Sequence, residues 1–170
     1  AAPTELFVDK DGNEVDWIVG YGPPADKFLE KVQKVLTGAE TYKTLTARYA
    51  KEPANVEVLF KLAQKCSSRY DDKLTAKAKE LYQKVIALDP EGKAGAYEDD
   101  YLKAKIPYAQ GAEFELGQMA AFGGRQSDPA PLQGFIKKYP SSPLVKNAYS
   151  YLGYYYGSQA TKEDAVKFFE

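Results

Sequence analysis

Residues 149–170 read YSYLGYYYGSQATKEDAVKFFE, and this stretch decides the fold. In its first half, large side chains recur every three or four residues, which is the spacing of one face of an α-helix. The run from residue 161 to 164 is similar to a capping box and predicts the start of a second helix. Small residues at Gly153 and Ala165 would let these two helices approach closely. The stretch therefore predicts a packed pair of helices.

The same stretch resembles the tetratricopeptide repeat, a helix pair with a period of about 34 residues. The positions that can be compared all match, at Tyr149, Leu152, Gly153, Tyr156, Ala165 and Phe169. A weaker copy over residues 56–90 matches at Leu59, Leu62, Ala63, Ala78, Tyr82, Val85 and Pro90. The resemblance implies a mainly α fold, in which residues 39–170 form an antiparallel, tetratricopeptide-like solenoid of helix pairs. The alternative is a generic antiparallel helical bundle.

Residues 1–38 have a different pattern. Residues 5–8 form a short apolar run, residues 14–21 alternate between apolar and polar, and a glycine at position 12 lies between them. Because glycine adopts the positive φ that a tight turn needs, this pattern predicts a β-hairpin. Residues 25–36 then carry apolar side chains at helical spacing and predict a helix that ends before Gly38.

This order of elements resembles the last third of a thioredoxin-like domain. Pro3 precedes the first strand, Gly20 lies near the end of the second, and the helix over residues 25–36 follows. In that family the proline is usually cis, and its loop packs beside a CxxC motif. The resemblance implies that Pro3 and Thr4 form this loop in a partial thioredoxin-like segment, residues 1–38, of a truncated larger protein. The alternative is an unrelated hairpin that caps the solenoid.

The composition excludes the catalytic classes that need histidine or a pair of cysteines. The 170 residues include no histidine and one cysteine, Cys66, so they hold no Ser-His-Asp triad, His-based metal site or internal disulfide. The net charge of -1 argues against a nucleic-acid partner. No apolar run approaches the roughly 18 residues of a membrane span. We expect no catalytic residue, no metal and no cofactor, and we expect Cys66 to be an inert buried thiol.

From residue 40 onward the pattern predicts only helices. Residues 94–122 keep large side chains at helical spacing, and Pro107 predicts a kink or a break in that long helix. The acidic run over residues 98–100 would point to different sides of such a helix. A solvated helix face is therefore favoured there over a metal site.

The repeat resemblance also places candidate ligand-binding side chains on the first helix of each copy. They predict a concave groove for an extended or helical peptide, lined by Phe60, Gln64, Asn147, Ser150 and Tyr154. A clamp for a peptide carboxylate is not favoured, because Lys61 and Tyr151 stand where such clamps have asparagine. The alternative is that these side chains only pack neighbouring helices.

Taken together, the resemblances imply the protein-interaction region of a bacterial thioredoxin-like thiol-disulfide oxidoreductase. The chain would be inactive alone, because it has no cysteine pair. The alternative is a freestanding peptide-binding adaptor without a redox role. The expected partner is a protein or peptide, and a homodimer could form through the unpaired edge of the first strand or through the last helix. By analogy, an exported location is slightly favoured over a cytoplasmic one.

Overall fold

The computed structural model describes residues 4–20, 25–69, 71–123, 127–158, 163, 164 and 166. Across these residues the chain is mainly helical, as predicted, with seven helices and two small antiparallel sheets of two strands each. It divides into two compact units, Ala1–Lys84 and Val85–Glu170. The boundary predicted after residue 38 lies inside the first unit.

The first hairpin is confirmed. Strand β1 (Thr4–Val8) pairs antiparallel with strand β2 (Glu14–Val19). The Asp9 carboxylate accepts hydrogen bonds at 3.0 Å from the backbone N–H groups of two turn residues, one of which is Asn13. Gly12 has a φ of 79°, the left-handed conformation for which glycine was expected.

Four helices follow the hairpin: α1 (Ala25–Leu36), α2 (Tyr42–Lys51), α3 (Val56–Ser67) and α4 (Asp72–Leu88), the last of which crosses into the second unit. The predicted bounds of α1 are confirmed. The predicted N-cap of α3 is confirmed as well, because Asn55 Oδ1 accepts a hydrogen bond from the Val58 N–H at 3.2 Å.

Helix α3 is the centre of the first unit. Seven of its twelve residues are buried, namely Val56, Val58, Leu59, Phe60, Leu62, Ala63 and Cys66. Contacts from β2 reach its C-terminal end: Trp17 Nε1 donates to Ser68 Oγ at 3.0 Å, and Asp16 pairs with Lys65 at 2.9 Å. The hairpin and α3 therefore share one core.

In the second unit, the end of α4 is followed by a hairpin, which corrects the prediction of a helix over residues 94–122. Strands β3 (Ala96–Asp99) and β4 (Ala104–Pro107) pair antiparallel where we predicted helix. Asp99 Oδ1 accepts a hydrogen bond from the Leu102 N–H at 2.7 Å, and Lys103 adopts a φ of 51°. These turn contacts compete with helix formation, because a side chain satisfies the local backbone donors.

Three helices complete the described part of this unit: α5 (Tyr108–Ala121), α6 (Ala130–Lys138) and α7 (Val145–Ser158). Their core contains Ile106, Phe114, Ala121, Leu132, Phe135, Leu144, Ala148, Leu152 and Tyr156. Helices α5 and α6 approach closely at Gly117, where an added Cβ would lie 3.0 Å from Leu132 Cδ2.

The predicted last helix, with its repeat positions Ala165 and Phe169, falls largely outside the described residues. None of the described helices combines the length and apolar character that a membrane span requires.

Candidate functional site

Helix α7 has a buried stripe on one side and an accessible face on another. Ala148, Leu152 and Tyr156 form the stripe and are buried. Asn147, Ser150 and Tyr154, the residues predicted to face a ligand, are three and four positions apart and so share one side of the helix. Asn147 is partly exposed, Ser150 is exposed, and Tyr154 is 65% exposed. We call these three residues the α7 face.

Aromatic rings pack against Tyr154 of the α7 face and connect it to the core. The Tyr154 ring lies 5.6 Å from the Phe122 ring, between centroids, and Phe122 also contacts Tyr151 at 5.7 Å. Tyr151 in turn contacts Phe114 of the core at 5.9 Å. Tyr154 is therefore a large exposed side chain that packs against a neighbouring aromatic ring, as is typical of residues that anchor a partner.

Two polar groups of the α7 face are available for hydrogen bonding. Within the described part of the chain, neither the Asn147 amide nor the Tyr154 hydroxyl has a hydrogen-bond partner. Ser150 Oγ, in contrast, donates to the Lys146 carbonyl at 3.0 Å. The face can therefore offer an amide and a phenol to a bound backbone or side chain.

One residue of this helix departs from the repeat pattern. The tetratricopeptide alignment makes Tyr149 a core residue, but its side chain is 51% exposed. The buried stripe follows Ala148, Leu152 and Tyr156 at intervals of four, which places Tyr149 at the edge of the stripe.

The two candidates on α3 have different environments, and they belong to the other compact unit. Phe60 is fully buried and packs edge-on against Tyr82, with 5.8 Å between the ring centroids. The structure therefore does not support Phe60 as a groove residue, because its side chain has no exposed surface. Gln64 is partly exposed and lies in the wall of a cavity within the first unit.

The predicted cis-proline loop is only partly described. Pro3 lies outside the described residues. Thr4 is exposed, begins β1 and pairs with Val19 of β2.

Cys66 lies in the core with no exposed surface, and burial raises the pKa of its thiol. The thiol form is therefore favoured over the reactive thiolate. The acidic run over residues 98–100 lies at the end of β3 and in its turn, not on a helix, and Asp99 bonds to the turn backbone. Among the described residues, no group of three or more potential ligands could hold a metal ion.

Sequence reasoning missed one titratable group, Glu115 of α5. Desolvation by burial, followed by the charge of Asp99, raises its pKa to about 7. Burial and the charge of Glu115 also raise the pKa of Tyr97. The available signal was an acidic residue within the most apolar stretch of α5, whereas Glu113, two positions earlier, pairs with Lys138.

No protein-family model, curated protein or solved structure matches this chain. The tetratricopeptide and thioredoxin-like resemblances therefore stay predictions that rest on the residues quoted above.

Proposed function

We propose that this chain is a protein-interaction module that binds a peptide segment on the α7 face. One observation carries the proposal: Tyr154 is exposed and packs against Phe122, on the same side of α7 as the accessible Asn147 amide two turns earlier. A large aromatic anchor with adjacent hydrogen-bonding groups is the usual composition of an interaction hot spot.

Burial in the weaker repeat copy supports a tetratricopeptide-like arrangement of helices. Six of its matching residues, Leu59, Leu62, Ala63, Ala78, Tyr82 and Val85, are at most 2% exposed. The two alanines stand at the positions where the repeat needs small side chains for close helix packing. Repeats of this type present their accessible helix faces to extended or helical peptides.

The order of β1, β2 and α1 supports the further proposal that the module belongs to a bacterial thioredoxin-like oxidoreductase. In that setting the α7 face would recruit a protein substrate, and the cysteine pair would lie outside these residues. The alternative is a freestanding adaptor. An intact mass well above 18.9 kDa for the native protein, together with an upstream CxxC, would favour the oxidoreductase. An intact mass of 18.9 kDa would favour the freestanding adaptor.

Peptide selection tests the proposal directly. Peptides are selected on the purified chain from a random display library, and the best one is titrated by fluorescence anisotropy. Tyr154→Ser should weaken binding roughly tenfold or more, since the loss of an anchoring aromatic residue costs about 2 kcal/mol. Asn147→Ala should weaken binding less.

The matched control is Tyr101→Ser, because Tyr101 is an even more exposed tyrosine (89%) in the turn between β3 and β4. Binding should be unchanged in this variant. A selected peptide that binds the Tyr154→Ser variant as well as the unmodified chain would overturn the proposed site.

The module is also proposed to self-associate through β1. Among the described residues, β1 pairs only with β2, so its other edge is open to a second copy. Leu6 and Val8 on this strand are 50% and 54% exposed. Open edges with apolar side chains favour pairing between chains.

A further inference from the structure

The first unit contains a cavity of about 470 Å³, well away in sequence from the α7 face. Small-molecule sites commonly measure about 300–1,000 Å³. Four of its lining residues are apolar and each less than 9% exposed, namely Trp17, Ile18, Val35 and Leu45. The cavity therefore has the size and the apolar lining of a ligand site.

The polar part of the lining carries an excess of positive charge. Lys31 and Lys34 of α1 and Lys61 and Lys65 of α3 line the cavity, together with the carboxylates of Asp16 and Glu40. Among the lining residues, four ammonium groups stand against two carboxylates, and Glu57, which pairs with Lys61 at 2.6 Å from outside the lining, reduces the surplus to one positive charge. In a cavity with apolar walls, such a surplus favours an anion.

The two lysines of α3 already have partners. Lys65 Nζ lies 2.9 Å from Asp16 Oδ2, and Lys61 Nζ lies 2.5 Å from Glu40 Oε1. Burial opposes the charge of Lys61, but the hydrogen bonds that it donates to Glu40 and Glu57 raise its pKa above the usual value. These pairs fix the α3 wall and leave it with little free charge.

The two lysines of α1 carry the surplus. Across the described residues, Lys31 and Lys34 form no ion pair and no side-chain hydrogen bond. They stand three positions apart, so both ammonium groups project from the same side of α1. Two flexible cations on one side of a cavity can converge on a single anionic group.

The α3 wall adds a neutral hydrogen-bonding group. In the described part of the chain, the side-chain amide of Gln64 has no hydrogen-bond partner. Ser68 is different, since its hydroxyl accepts from Trp17 Nε1 and donates to the Lys65 carbonyl. Gln64 is therefore the neutral group of this wall that can bond to a ligand.

We propose that this cavity binds a small organic anion. The carboxylate or phosphate of the ligand would pair with Lys31 and Lys34, and its apolar body would pack against apolar lining residues such as Trp17 and Leu45. Gln64 would donate to or accept from a polar atom of that body. This site is independent of peptide binding on the α7 face, so each proposal can fail without the other.

The single tryptophan of the chain provides a direct readout, because Trp17 lines the cavity. The probes are 4-phenylbutyrate and its uncharged analogue 4-phenylbutyramide, which have nearly the same shape. Each is titrated while the Trp17 indole N–H resonance is followed by NMR. We expect a saturable shift with the anion and an affinity at least roughly tenfold weaker for the amide, because a hydrogen bond to a charged group is stronger than one to a neutral group.

Two double variants locate the anion. Lys31→Gln with Lys34→Gln removes the free cations of the cavity and should weaken 4-phenylbutyrate binding roughly tenfold or more. Lys73→Gln with Lys79→Gln makes the same change of net charge on α4, away from the cavity lining, and should leave binding unchanged. All four side chains are exposed, so both variants should fold.

Three outcomes would overturn the proposal. They are the absence of a saturable shift with 4-phenylbutyrate, equal affinity for the anion and the amide, and unchanged binding in the variant that lacks the α1 lysines. Equal weakening in both double variants would also count against it, because it would show a nonspecific effect of net charge.

Discussion

Cys66 packs on α3 with no exposed surface, and desolvation raises the pKa of its thiol. Because the thiolate is the reactive form, the folded chain should not react with Ellman's reagent over the time of an ordinary assay. In guanidinium chloride it should release one equivalent, since the chain has one cysteine. Rapid labelling in native buffer would show that this part of the core opens.

Glu115 should make stability depend on pH. Its pKa is about 7 in the folded chain, against an ordinary value of 4.5, so between these values the folded state binds more protons than the unfolded state. The free energy of unfolding should therefore fall as pH rises through this window. Glu115→Gln should remove this contribution, which amounts to up to about 3 kcal/mol.

Urea unfolding near pH 5 and near pH 8, followed by circular dichroism, measures this difference. The matched control is Glu98→Gln, which removes an exposed carboxylate from β3 in the same unit. The pH dependence should be preserved in the control and reduced in Glu115→Gln. The same pH dependence in both variants would show that the Glu115 carboxylate is not desolvated.

Two helical glycines should respond to alanine in opposite ways. A Cβ at Gly117 of α5 would lie 3.0 Å from Leu132 Cδ2 and 3.3 Å from the Leu132 backbone nitrogen, so Gly117→Ala should destabilise by about 1–3 kcal/mol. At Gly134 of α6, no described atom lies within 4 Å of such a Cβ. Gly134→Ala should therefore stabilise by about 0.5–1 kcal/mol through helix propensity.

Thermal unfolding of the two variants in parallel checks the pair. The midpoint temperature should be highest for Gly134→Ala, intermediate for the unmodified chain and lowest for Gly117→Ala. If Gly117→Ala were as stable as the unmodified chain, α5 and α6 would not approach as closely at this glycine as described here.

At the level of elements, the hairpin of β1 and β2 and the helix α1 could be predicted, because local alternation, a turn glycine and helical spacing all agree. The β3–β4 hairpin could not be predicted from the sequence pattern. Tyr97, Tyr101 and Ala104 fit helical spacing, and the decisive features are the bonds from Asp99 to the turn backbone and the positive φ of Lys103. Spacing alone does not show side-chain competition for backbone donors.

The candidate site shows the same limit. The α7 face was predicted with the correct accessibility, because one helix with a clear apolar stripe determines which side is left over. The accessibility of Phe60 was not predicted correctly, because α3 is buried around most of its circumference and has no accessible face at this residue. The cavity and Glu115 also required tertiary contacts that a sequence pattern does not contain.

For the whole molecule, the first unit extends further along the chain than the sequence predicts. Trp17 bonds to Ser68, Asp16 pairs with Lys65, and Arg69 pairs with Glu14 at 2.5 Å. These contacts join residues about 50 positions apart, beyond the reach of local periodicity. They join the hairpin to α3 within one compact unit.

Self-association tests the open edge of β1. We expect sedimentation velocity to show a dimer that forms as concentration rises. Val8→Lys should weaken dimerisation at least about fivefold, because a charge on an edge strand opposes pairing between chains. The control is Leu88→Lys, which changes a leucine that is 49% exposed at the end of α4. This variant should not weaken dimerisation. A chain that stays monomeric at every concentration would exclude this edge as an interface.

The turn between β3 and β4 also offers a site for limited proteolysis. Tyr101 is 89% exposed, and Lys103, two residues later, is exposed as well. Chymotrypsin and trypsin, which cleave after aromatic and basic residues respectively, would therefore meet preferred side chains within the same turn. A brief digestion with either enzyme should nick the chain between two hydrogen-bonded strands, so the pieces could stay associated until a denaturing gel separates them.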